Sequence, residues 1–179
     1  EVDWSGDRTG FLTPFELFRN GDASTCPAAT GCQRMIAGTY RVWESLSGGL
    51  PNTSWFPNSP DLTKGLSADA NLSIINKVAF SASDPSIALA GTNDGNVWMG
   101  FGLGVGAGTP ATWIKASGDN AVLPNRPVMD LVGDPRSPTV AYVALAGFAA
   151  NTPATPGHLF RLSCSARCAT VAWVDKSGN

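Results

Sequence analysis

The chain has 179 residues, of which 15% are charged, and a net charge of −2. That balance excludes both a basic nucleic-acid-binding surface and a highly charged disordered chain. Twenty glycines and thirteen prolines favour many turns over long helices.

No apolar stretch approaches the ~18 residues that a membrane helix needs. The most apolar one, Val140 to Ala150, is short and is interrupted by Gly147. The chain opens on Glu1-Val2-Asp3, so any signal peptide of a secreted precursor is expected to be gone already.

Residues 1–12 read as an irregular lead-in. Thr13 to Phe18 is the first predicted strand, followed by a loop in which Cys26 and Cys32 flank Pro27-Ala28-Ala29-Thr30-Gly31. Met35 to Thr39 and Tyr40 to Trp43 give two more strands, and a fourth is expected at Trp55. Ser59 to Leu72 lacks a helical apolar period and reads as loop. In the run that follows, Ile74, Val78 and Phe80 are expected on one face, with Asn76 between them. Asp84-Pro85-Ser86 turns the chain into Ile87-Ala88-Leu89-Ala90, an unbroken apolar strand of the doubly buried kind. Asn93-Asp94-Gly95-Asn96 is a hairpin signal, Val97 to Phe101 a third strand and Thr112-Trp113-Ile114 a fourth, reached through the Gly-rich loop Gly102 to Pro110. The last stretch repeats this order. It runs Val128 to Val132, the turn Asp134-Pro135, Val140 to Ala146, the Pro-rich loop Gly147 to Gly157, His158 to Leu162, and Val171 to Val174.

The order is periodic. Trp55, Trp113 and Trp173 are 58 and 60 residues apart; Ala37-Gly38-Thr39 recurs as Ala90-Gly91-Thr92, and Asp84-Pro85 as Asp134-Pro135. A fixed period of this kind marks stacked supersecondary units. Four antiparallel strands per unit are the pattern of a propeller blade. The expected fold is therefore all-β, with about three blades at 13–58, 74–119 and 128–179. The three tryptophans should be equivalent on fourth strands, and Ala37-Gly38 and Ala90-Gly91 equivalent on second strands. A closed propeller needs at least four blades. The chain is thus expected to belong to a larger propeller, or to an assembly that covers both ends. A complete small domain of stacked sheets is the competing expectation.

The four cysteines form two short-range pairs, Cys26 with Cys32 and Cys164 with Cys168. Such pairs in a Gly/Pro-rich chain read as loop-pinning disulfides and a secreted, cell-surface or periplasmic setting. Neither spacing is that of a zinc knuckle, and the chain has one histidine, so no metal is expected. No cofactor motif is present.

The succession of apolar strand, Asp-Pro turn, apolar strand, Gly-Thr, aromatic strand and Trp strand resembles the BNR (Asp-box) propellers over residues 33–179. That superfamily includes sialidases, xyloglucan-active glucanases and sortilin-type receptor domains. The resemblance implies a propeller that binds or hydrolyses carbohydrate, or else a non-catalytic scaffold that binds protein. The family's Asp box has only a degenerate match, Glu44-Ser45-Leu46-Ser47-Gly48-Gly49 before Trp55, without the aspartate. No sialidase arginine triad or tyrosine nucleophile maps onto the chain, and no paired glucanase aspartates do.

Candidate site residues are few. Aligning the two Asp-Pro turns sets Asp130 opposite Phe80, a carboxylate in an aromatic's place. It reads as an acid/base or ligand-binding group in a central channel, or as a carboxylate held structurally, for instance by Arg126. Asp84 and Asp134 read as turn caps. His158, beside the Pro-rich loop, is a candidate proton carrier or a satisfied surface residue. Trp43 and Trp98 are candidate sugar platforms or core residues. Asn52-Thr53-Ser54 and Asn71-Leu72-Ser73 match the glycosylation pattern.

Overall fold

The computed structural model describes residues 4–65, 73–118 and 123–178; Asn71 lies outside them. Among the described residues twelve strands form three four-stranded antiparallel sheets, each an uncrossed meander in chain order. The first sheet contains β1 (Phe15–Leu17), β2 (Met35–Gly38), β3 (Val42–Ser45) and β4 (Phe56–Pro57). The second contains β5 (Ile75–Phe80), β6 (Ile87–Thr92), β7 (Val97–Phe101) and β8 (Thr112–Lys115). The third contains β9 (Val128–Gly133), β10 (Val140–Leu145), β11 (Leu159–Ser165) and β12 (Thr170–Asp175). This is an all-β fold of propeller-type repeats.

The middle sheet is sandwiched. Val78, Phe80, Ala88, Ala90 and Trp113 meet Ile36 and Val42 of the first sheet on one side. Ala79, Leu89, Met99 and Phe101 meet Leu131, Val143 and Leu162 of the third on the other. Strands buried on both faces need apolar residues at every position, which is why β6 reads as an unbroken apolar run. The first strand of each later sheet lies on the first two strands of the sheet before it, β5 on β1 and β2, and β9 on β5 and β6.

A clasp repeats in all three sheets and fixes their alignment. Ser59, Ser117 and Ser177 accept, on their hydroxyls, the N–H of Val42, Val97 and Leu159, at 2.7, 3.1 and 3.1 Å. The residues just before them, Asn58, Ala116 and Lys176, donate their N–H to the carbonyls of the same three residues. With third strands aligned this way, pairing carries the equivalence across each sheet: Ala37, Ala90 and Val143 stand opposite Trp43, Trp98 and Phe160. These in turn stand opposite Pro57, Lys115 and Asp175. Two residues earlier lie Trp55, Trp113 and Trp173, so the tryptophans are equivalent by register. Trp55 itself falls one residue ahead of β4, at the end of the short 3-10 turn Asn52–Ser54.

The repeating unit is therefore Trp-x-x-x-Ser, and its tryptophan joins sheets. Trp113 donates its indole N–H to the Asn58 carbonyl at 3.0 Å, and Trp173 donates to the Ala116 carbonyl at 2.9 Å. Each acceptor is the same position in the preceding sheet. The lead-in segment fastens to the first sheet in a related way. Asp7 accepts from Thr39, Arg41 and the Trp43 indole, and Trp4 lies on Trp55 with ring centroids 4.9 Å apart. Burial works to raise the Asp7 pKa, but those three donors outweigh it and hold the carboxyl below its ordinary value.

The Ala-Gly-Thr repeat has a physical origin. Thr39 and Thr92 close their hairpins by accepting the N–H of Arg41 and Asn96 on their hydroxyls. The glycines admit the next sheet. A Cβ on Gly38 would lie 2.7 Å from Ile75 Cγ2, and one on Gly91 would lie 2.3 Å from Val128 Cγ1. Gly91→Ala is expected to destabilise the chain by about 1–3 kcal/mol through overpacking, read as a lower midpoint in chemical denaturation; an unchanged midpoint would remove this contact from the account.

One expectation on the middle sheet needs correction. Ile75, not Ile74, is buried with Val78 and Phe80, because a bulge between Ile75 and Lys77 absorbs Asn76 and breaks the alternation. The Asn76 amide then reaches across to the Val128 carbonyl at 3.1 Å. Both cysteine pairs are bonded, Cys26 to Cys32 and Cys164 to Cys168.

Candidate functional site

The first strands of the three sheets converge on a groove of about 510 Å³. β1 contributes Glu16, β5 contributes Lys77, and β9 contributes Asp130. A bulge precedes the charged residue in both later strands: Asn76 before Lys77, and Met129 before Asp130. Bulges re-aim the side chains beside them, so Lys77 and Asp130 are presented by the same device in successive sheets.

The register corrects the alignment of Asp130. Asp130 pairs with Ala144 and Lys77 pairs with Gly91, which are equivalent second-strand positions. Asp130 therefore corresponds to Lys77, and Phe80 corresponds to Gly133. Counting from the Asp-Pro turns misaligned the two by three residues. Asp84 precedes its strand start, Ile87, by three positions, whereas Asp134 precedes Val140 by six. Asp130 therefore does not stand in an aromatic's place. Two equivalent residues of adjacent sheets form an ion pair instead, with Lys77 Nζ 3.0 Å from Asp130 Oδ1. The side chains are 36% and 65% exposed, so the pair adds only about 0–1 kcal/mol of stability.

Glu16 has a different environment. Burial is the largest influence on its carboxyl and raises its pKa. Lys77, the Phe80 N–H and Arg19 pull it back, and the Asp130 charge pushes it up again. The net shift is upward. Two carboxylates thus share one groove, one ion-paired to a lysine and one biased toward its neutral form. The sequence carried a sign of Glu16, a single acidic residue inside the apolar run Phe15-Glu16-Leu17-Phe18. Lys77 was hidden by the misalignment.

The remaining candidates are engaged elsewhere. Arg126 donates to the carbonyls of Gly147 and Gly157, stapling the Pro-rich loop, and is not Asp130's partner. His158 is exposed, but its Nδ1 donates to the Leu145 carbonyl at 3.0 Å, and Arg126 Nη1 lies 3.4 and 3.3 Å from its Nδ1 and Nε2. Trp43 is fully buried. Trp98 packs against the core between the first two sheets, with its indole N–H on the Leu62 carbonyl at 2.7 Å. The Trp43 indole therefore offers no free face for stacking, whereas Trp98 is only partly buried. Asp84 accepts from the Ser86 N–H and hydroxyl, and Asp134 from the Arg136 N–H, as turn caps do. Asn52 is exposed.

A roomier cleft of about 900 Å³ lies between Trp55, Phe56 and Pro57 of the first sheet and the glycine loop at Gly106 and Gly108. It is lined by no titratable side chain. Among the described residues no three His, Cys, Asp or Glu side chains gather as metal ligands, and no helix is long and apolar enough to cross a membrane. Comparison with protein-family models, curated proteins and solved structures finds no significant match.

Proposed function

We propose that the chain is an extracytoplasmic, sialidase-like propeller segment whose central groove binds and cleaves carbohydrate. One observation carries this reading: Glu16 and Asp130 line the same groove, Glu16 with its pKa raised by burial and Asp130 ion-paired to Lys77. Glycoside hydrolysis needs one carboxyl that stays protonated to donate to the leaving oxygen and one carboxylate that stays charged. Burial fits Glu16 for the first role. The lysine at 3.0 Å fits Asp130 for the second. The setting outside the cytoplasm is supported by the two disulfides.

The test is hydrolysis and binding across a panel of aryl glycosides and soluble oligosaccharides. Glu16→Gln and Asp130→Asn should each lower turnover by about 10²-fold or more. Activity should fall as pH rises through the Glu16 titration, above the ordinary glutamate range. Because the folded state raises the Glu16 pKa, wild-type stability falls over that same window. Glu16→Gln removes this penalty, so its loss of turnover should come without loss of stability. Wild-type protein that neither binds nor cleaves any member of the panel would defeat the proposal.

A second reading, a non-catalytic scaffold, is favoured by the apolar residues left exposed on the two outer sheets, among them Phe15 and Val132.

A further inference from the structure

Each sheet has one face toward its predecessor and one toward its successor, and the register names equivalent residues on both. On the predecessor face, Phe15, Val78 and Leu131 are equivalent, each opposite Ala37, Ala90 or Val143. Val78 and Leu131 are 0% and 2% exposed, whereas Phe15 is 67% exposed. On the successor face, Ala79 and Val132 are equivalent, opposite Leu89 and Tyr142. Ala79 is 2% exposed, whereas Val132 is 57% exposed. Leu159 and Val174, on the same open face, are exposed where Val97 and Ile114 are packed into the core. One chain therefore carries an unfilled successor face and an unfilled predecessor face of a single stacking series.

We infer that a second copy of this chain docks head to tail, with Phe15 of one copy packed on the Val132–Tyr142–Leu159 face of the other. The contact continues an interface that the chain already makes twice, in which the first strand of one sheet lies on the first two strands of the sheet before it. The third sheet also ends with the acceptor in place. Lys176 donates to the Leu159 carbonyl, and Ser177 clasps the Leu159 N–H, as their equivalents do where a following tryptophan is bound. Trp4 already covers Trp55 at the outer end of the first sheet, so the contact falls on the inner half, at Phe15. Ala144 stands where Gly38 and Gly91 stand. Two such contacts between two copies of three sheets close a ring of six, inside the roughly four to eight blades that propellers use. Head-to-tail contacts close into rings or run on as filaments, and the closed ring is the arrangement inferred.

Sedimentation of the intact chain tests this independently of any groove chemistry. The wild type should sediment at twice 18.6 kDa, or 37.2 kDa. Phe15→Asp and Val132→Arg, both at exposed positions, should each sediment at 18.6 kDa with unchanged near-ultraviolet circular dichroism. Mixing the two variants should restore a dimer, because one copy keeps Phe15 and the other keeps Val132. A self-paired contact through a single face could not be rescued in that way. A wild type that stays at monomer mass, a mixture that stays monomeric, or a mass that climbs without limit as concentration rises would overturn the inference.

Discussion

Trp113→Ala is expected to lower the unfolding free energy by about 3–5 kcal/mol, the usual loss for a large buried aromatic. The indole is 8% exposed, packs flat against the Gly100 backbone, and donates across the sheet boundary to Asn58. Trp113→Phe keeps most of the packing and loses the hydrogen bond, so it should cost less. Trp55→Ala should also be milder, because Trp55 is half-buried and no sheet precedes it among the described residues. Urea titrations of the three variants check the order. Equal losses for Trp55→Ala and Trp113→Ala would mean that the tryptophans stabilise their own sheets only.

Glu44→Ala is expected to have an effect of similar size for another reason. The carboxylate is fully buried between the first two sheets. It accepts from Arg34 Nη2 at 2.6 Å, from the Gly104 N–H at 3.2 Å, and from the Asn58 amide. Deleting it leaves the Arg34 guanidinium, itself only 11% exposed, without its counter-charge. Removing one partner of a buried ion pair destabilises by about 3–5 kcal/mol. Glu44→Gln retains acceptor capacity on one oxygen and should lose less. A denaturation midpoint unchanged in Glu44→Ala would show that the pair does not hold the two sheets together.

The period of the tryptophans was legible because each occupies a position whose register the fold repeats. The serine four residues later recurs with the same period, as Ser59, Ser117 and Ser177 after the three tryptophans. A hydroxyl that accepts one backbone N–H leaves no hydrophobic pattern, so only the recurrence could have marked it. The strand order came through because turns at Asp84-Pro85 and Asn93-Asp94-Gly95 are local chemistry. The candidate site came through only in part. Asp130 lies in the groove, but its partner depends on bulges at Asn76 and Met129 and on where Asp-Pro falls within turns of equal length, and neither alters the apolar pattern by itself. Glu44, read as part of a degenerate loop motif, instead faces the sheet boundary, and the Ser45 hydroxyl holds the following loop by accepting the Gly49 N–H at 3.0 Å.

The central claim is that successive sheets are joined by equivalent indole hydrogen bonds, from Trp113 to Asn58 and from Trp173 to Ala116. Hydrogen exchange of the tryptophan side-chain N–H groups, followed by NMR and assigned with single Trp→Phe variants, reads those bonds directly. The account predicts strong protection for Trp113 and Trp173 and fast exchange for Trp55. Exchange at Trp113 and Trp173 as fast as at Trp55 would contradict it.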